Sequence, residues 1–196
     1  VIDDPSKGTI RQRICVVIAA IVVLGLSSCI GGVFSLLTRD VYVPVLVPVG
    51  MGVSVGAVVG FFAYLLDRVS FTSVILAALL GWCGAVTVFH LVEYEFVFKR
   101  AVQQELELDT ATSDLSGQDV QQMADSALLR GVGTPGFWGF LKLRARSGIR
   151  VRLSGRIWTG YGPGLAVWAF DILLGGFLVI RIVRGVRKRR VLEATD

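Results

Sequence analysis

Apolar residues gather into four long runs, separated by polar stretches of very unequal length. The first is ICVVIAAIVVLGLSSCIGGVFSLLT, Ile14 to Thr38, and the second is VYVPVLVPVGMGVSVGAVVGFFAYLL, Val41 to Leu66. The third starts at Phe71 and becomes polar only at His90, and the fourth, GLAVWAFDILLGGFLVIRIV, starts at Gly164 with Asp171 inside it. A helix needs about 20 apolar residues to cross a bilayer. Each run therefore predicts a spanning helix. The first exceeds the apolar stretch of a secretory signal and no small-residue cleavage pattern ends it, so it reads as a retained span.

Arg39 and Asp40 separate runs one and two, and Asp67 to Ser70 separate runs two and three. Connections this short make the first three helices antiparallel neighbours. The third connection, Lys99 to Pro163, runs to about 65 residues, too long for a structureless link. The division is thus 1–98 for the N-terminal segment and three helices, 99–163 for a structured extramembrane loop, and 164–196 for the fourth helix and a basic tail. The fold class is an all-α membrane protein with four transmembrane helices.

The loop splits by charge. Glu105, Glu107, Asp109, Asp114, Asp119 and Asp125 fill its first half, and Lys142, Arg144, Arg146, Arg150, Arg152 and Arg156 its second. The halves can neutralise one another or face different partners. Val120, Met123, Ala127 and Leu128 recur at helical spacing after Ser116, a capping residue, with Gly131 as the stop. Residues 108–117 read as a flexible linker. The stretch GTPGFWGFLKLRARSGIRVRLSGRIW, 133–158, supports two structures. Thr134 and Pro135 open, and Gly148 closes, a helix over Pro135 to Ser147. The alternation of Leu141, Leu143, Ala145, Ile149, Val151 and Leu153 with basic residues instead fits a hairpin pairing Ala145 with Ile149 and Leu143 with Val151. That register sets Arg144 opposite Arg150, which is unfavourable without an anion between them.

Composition places the chain in a membrane and narrows the partners. Hydrophobic residues make up 54% of the 196 and charged residues 18%, against about 25% charged in an ordinary soluble domain. In that setting the basic aromatic stretch reads as contact with lipid headgroups or an acidic partner, through Lys142, Arg144, Arg146, Arg150, Arg152, Arg156, Trp138 and Trp158, with Phe137 and Phe140 at headgroup level. Nucleic acid is not expected. Arg181, Arg184, Arg187, Lys188, Arg189 and Arg190 in the tail, with Lys7, Arg11 and Arg13, orient both termini to the cytoplasm of a bacterial inner membrane, the loop being long enough to escape the rule.

The chemistry-bearing residues are few. Gly52, Gly56 and Gly60 line one face of span two and let another helix approach closely, in this chain or a partner. Pro44 and Pro48 loosen the start of that span. His90 and Glu93 share a helix face and are the candidates for holding a metal, haem or chlorophyll-type pigment, although Tyr94, Phe96 and Phe98 beside them fit an interfacial aromatic belt. Asp171 is the one acid deep in a span, suited to a polar pocket, the interface or ion transport. Cys15, Cys29 and Cys83 lie within spans as small packing residues. No nucleophile and base pair, phosphate loop, catalytic residue set or metal site is expected.

The run GFWGFLKLRARSGI just before the last span resembles a segment of uncharacterised bacterial four-span integral membrane proteins. The likeness covers about 30 residues and implies a bacterial membrane protein without implying chemistry. The expectation is a non-enzymatic structural or interaction subunit of a larger membrane assembly, bound by the bilayer and other membrane subunits. The alternatives are a pigment- or haem-holding subunit of an energy-transducing complex via His90, and a small transporter or channel using Asp171.

Overall fold

A computed structural model describes residues 5–38, 45–65, 70–110, 116–147, 149–151, 155–158 and 161–193. Side chains are described for 14–38, 45–65, 70–104, 116–146, 165–186 and 188–189. Apart from one short ribbon and the turns between elements, the described residues are helical. Its elements are α1 (Pro5–Leu37), α2 (Leu46–Leu65), α3 (Phe71–Val92), a π-helical segment (Glu93–Phe98), α4 (Lys99–Thr110), α5 (Gly117–Val132), α6 (Gly136–Ser147), β1 (Ile149–Val151), β2 (Gly155–Trp158) and α7 (Tyr161–Glu193).

Four helices are long and apolar enough to cross a membrane: Ile14–Leu37, Leu46–Leu65, Phe71–Gln104 and Leu165–Val186. Much of their apolar surface faces outward, including Ile14, Val17, Ile18 and Ile21 on α1. Lipid is the environment in which such exposure carries no penalty. The three cysteines are also on outward faces and unpaired, so they do not serve as internal packing residues. The expected boundary of the third span does not hold, because α3, the π-helical segment and α4 continue as helix to Thr110. A linker beginning at residue 108 is therefore excluded as far as Thr110; residues 111–115 lie outside the described residues.

The chain divides into two compact units. One comprises Val1–Gly31, Pro48–Thr87 and Leu173–Asp196, the other Gly32–Val47 and Val88–Ile172.

In the first unit glycine sets the packing. A Cβ at Gly31 would collide with the carbonyl oxygen of Ala85 and stand 2.8 Å from its carbonyl carbon, so α1 and α3 meet backbone to backbone. Gly81 of α3 lies against Ser27 and Val23, and Gly84 against Leu24 and Ser28. The three glycines of α2 face α7: a Cβ at Gly52 would lie 2.7 Å from Gly175 O, one at Gly56 3.0 Å from Ile182, and one at Gly60 3.1 Å from Val186. The Trp82 indole lies against Gly175 and Gly176. Small residues four apart let helix axes close in where lipid removes the hydrophobic drive. The buried positions of α7 in this unit, Gly175, Val179 and Val183, keep the same four-residue step.

In the second unit α5 and α6 form an antiparallel hairpin. Ser116 caps α5 with a reciprocal capping box, its hydroxyl accepting from the Asp119 N–H and the Asp119 carboxylate accepting from the Ser116 N–H. The helix stops at Gly133, two residues beyond the expected Gly131, because Gly133 takes the left-handed φ of 70° and donates its N–H to Leu129 O. Buried along α5 are Val120, Ala124 and Leu128, whereas Met123 and Ala127, expected inside, face out. Residues 136–147 are helix α6, which rules out the hairpin pairing Ala145 with Ile149. In α6 the buried Gly139, Phe140 and Ala145 and the half-buried Gly136, Phe137, Leu141, Leu143 and Arg144 group at three- to four-residue intervals, the helical period. A ribbon does form after Gly148, but with the register Ile149 to Trp158, Arg150 to Arg156 and Val151 to Gly155.

Candidate functional site

The second unit holds a polar network built on the end of α3. His90 is buried at 7% exposure and both ring nitrogens are engaged. Trp168 of α7 donates its indole N–H to His90 Nε2 at 2.9 Å. An indole nitrogen only donates, so Nε2 is the acceptor and Nδ1 carries the proton. That proton faces Glu93 Oε2 at 3.2 Å. The second carboxylate oxygen, Glu93 Oε1, takes Arg144 Nη2 of α6 at 3.0 Å. Indole, imidazole, carboxylate and guanidinium thus form one chain from α7 through α3 to α6.

The π-helical turn sets the register of this chain. Its Lys99 N–H reaches back five residues to Tyr94 O, which adds one residue to the turn and shifts the helix face. Such wide turns concentrate at functional positions. Tyr94 and Phe98 stack with ring centroids 6.0 Å apart, and Phe140 lies 5.5 Å from Tyr94 and 5.6 Å from Phe98. Together with Leu128 they form a core under the hairpin. The expected aromatic belt is therefore corrected: Tyr94 and Phe98 turn inward and Phe96 alone of the three is largely exposed. Phe140, expected at headgroup level, is buried in the same core.

A second polar chain runs beside the core. Gln121 Nε2 donates to the Tyr94 hydroxyl at 3.1 Å and to Asp125 Oδ2 at 3.0 Å. Asp125 Oδ1 accepts the Gly136 N–H at 2.8 Å. A carboxylate at the first turn of a helix meets unpaired amides and the positive end of its dipole. Asp125 of α5, and not the expected Thr134, therefore receives the first N–H of α6. Thr134 Oγ1 instead accepts from Lys142 Nζ at 2.6 Å.

The cations of α6 are held within the chain. Arg146 donates to Gly131 O at 3.0 Å, one of the open carbonyls at the end of α5. Arg144 meets Glu93, an acid outside the loop. The side chains of Arg150, Arg152, Arg156 and Trp158, and of Glu105, Glu107, Asp109 and Asp114, lie outside the described residues, as does Pro44. Trp138 is 72% exposed on α6. A shallow groove of about 450 Å³ runs along α5, lined by Gln118, Gln121, Gln122, Asp125, Leu129 and Pro135.

Asp171 is 4% exposed, and its Oδ1 accepts the Val45 N–H at 3.3 Å. Val45 sits just before α2 with φ 70°, a left-handed conformation unusual for a β-branched residue. The carboxylate thus meets the amino end of a helix, the position where helix dipoles favour negative charge. Asp171 and the His90 network both belong to the second unit.

His90 and Glu93 are brought together as their spacing predicts, but no ring nitrogen of His90 is open, so a metal or pigment there would have to displace Trp168 or the Glu93 contact. Among the described residues no group of three His, Cys, Asp or Glu side chains gathers. Sequence reasoning missed Trp168, Gln121 and the partner of Arg144. The available signal was that an indole N–H within a span needs an acceptor, and His90 is the only histidine in the chain.

The described residues define a predominantly helical protein with four helices long and apolar enough to cross a membrane. Comparison with protein-family models, curated proteins and solved structures finds no match for the chain.

Proposed function

We propose that this chain is a non-enzymatic integral membrane subunit that assembles with other membrane chains, with the α5–α6 hairpin as its docking element. The observation that carries this reading is Trp138. It stands 72% exposed on a helix outside the four candidate spans, while the opposite side of the same helix is fixed by Phe140 and Arg144. Rigidly presented tryptophans are the residues most enriched among the energetic centres of protein interfaces. The His90 network acts in this reading as a structural support that fixes α6 through Arg144. The basic tail and the even number of candidate spans support a bacterial inner-membrane location with both termini cytoplasmic.

Purification of the full chain from native membranes in mild detergent tests the reading. Wild type is expected to elute as an assembly with a stoichiometric second chain, and Trp138→Ala as the free protein. A lone monomer in both cases sinks it. Labelling of single cysteines at Ser126 and Thr195, with Cys15, Cys29 and Cys83 replaced by alanine, fixes the orientation.

A further inference from the structure

One face of α7 changes chemistry abruptly along its length. Leu173 is 71% and Phe177 61% exposed, and they are four residues apart, so they share a face. Continuing along that stripe at helical spacing come Arg181, Arg184 and Lys188, all exposed. At 1.5 Å per residue Leu173 and Arg184 lie about 16 Å apart, roughly half of the ~30 Å hydrocarbon core. This is the span of one leaflet's acyl chain ending in a cluster of positive charge.

The position of that cluster is marked by a second helix. The Arg184 guanidinium carbon lies 6.0 Å from the centroid of the Phe71 ring, and Phe71 opens α3. Ser70 precedes it, its hydroxyl accepting the Ser73 N–H at 3.2 Å, so the apolar helix begins at this level. The cations therefore sit where the chain leaves the hydrocarbon, the depth of phospholipid phosphates. No acid occurs between Asp171 and Glu193 to neutralise them.

We propose that this face binds anionic phospholipid, its acyl chain along Leu173 and Phe177 and its phosphate held by Arg181, Arg184 and Lys188. Long basic side chains that start near the boundary extend to headgroups readily. An acidic segment of a partner protein would meet the cations but leave the apolar half of the stripe uncovered, so lipid fits the whole face.

The test uses the full chain reconstituted in phosphatidylcholine vesicles containing a trace of spin-labelled phosphatidylglycerol or spin-labelled phosphatidylcholine. The motionally restricted fraction gives the selectivity for each lipid. Wild type is expected to prefer phosphatidylglycerol severalfold at low salt, with the preference shrinking as 1 M NaCl screens the charges. The variant R181Q/R184Q/K188Q is expected to fall to near-equal binding. Each lost cation lowers selectivity by at most about fivefold, the equivalent of the ~1 kcal/mol that a Lys or Arg near an anionic surface contributes. The lysine-preserving R181K/R184K keeps the preference. If the triple variant does not fold, the single variants R181Q, R184Q and K188Q decide, each expected to lower the ratio. A wild type with no preference overturns the proposal. So does a preference that survives the substitutions.

Discussion

Glycines 25 and 31 stand on the same helix and test the close seam between α1 and α3. A Cβ added at Gly25 meets nothing within 4 Å, whereas at Gly31 it would strike the Ala85 carbonyl, standing 2.8 Å from its carbon and 2.9 Å from the Ala85 Cα. Carbon pairs pack at about 3.5–4.0 Å, so α3 must retreat by roughly 1 Å to admit Gly31→Ala. A gap of that size along a packed seam forfeits about a quarter to a half of the local dispersion energy. The overpacking cost is about 1–3 kcal/mol. At Gly25 the same substitution removes glycine's backbone freedom without a clash, which stabilises by up to about 1 kcal/mol. The two alanine variants should therefore differ by about 1–4 kcal/mol, with Gly31→Ala the weaker. Reversible unfolding of the full chain in mixed micelles, followed by circular dichroism over a rising fraction of dodecyl sulfate, measures the difference. Equal midpoints would refute the backbone contact between these helices.

Three further substitutions probe the second unit. Trp168→Phe removes the donor to His90 Nε2 and should cost about 1 kcal/mol; in a double-mutant cycle with His90→Phe the coupling should lie near 0.5–2 kcal/mol, and zero coupling contradicts the hydrogen bond. Asp125→Ala strips the acceptor from the first N–H of α6, lowering stability by about 1 kcal/mol and speeding amide exchange at Gly136, while Asp125→Asn keeps most of both; unchanged exchange in the alanine variant argues against the cap. Asp171→Asn retains an acceptor for the Val45 N–H, whereas Asp171→Leu removes it from the half-exposed start of α2, at a cost of about 1 kcal/mol. Equal unfolding midpoints for the asparagine and leucine variants would show that the contact contributes nothing.

Period and length alone determined the four helices long and apolar enough to cross a membrane, because an apolar run of 20 or more residues has few alternatives and needs no partner to be recognised. The capped start of α5 at Ser116 was legible for a similar reason, since a capping box is made by residues three apart. Local pattern failed where distant residues decide. The alternation from Leu141 to Leu153 reads equally as strand or helix, and the choice of helix goes with Glu93, which holds Arg144, and with the aromatic core around Tyr94, which takes Phe140. Neither lies within 40 residues of α6. The sequence placed His90 beside Glu93 through a shared helix face, but only the fold brought Trp168 onto the other ring nitrogen and thereby set the tautomer. Gly52, Gly56 and Gly60 announced a close approach without naming its partner. Tertiary structure supplied α7, because which helix lies opposite a glycine face depends on the packing of whole helices and not on any property of the face itself.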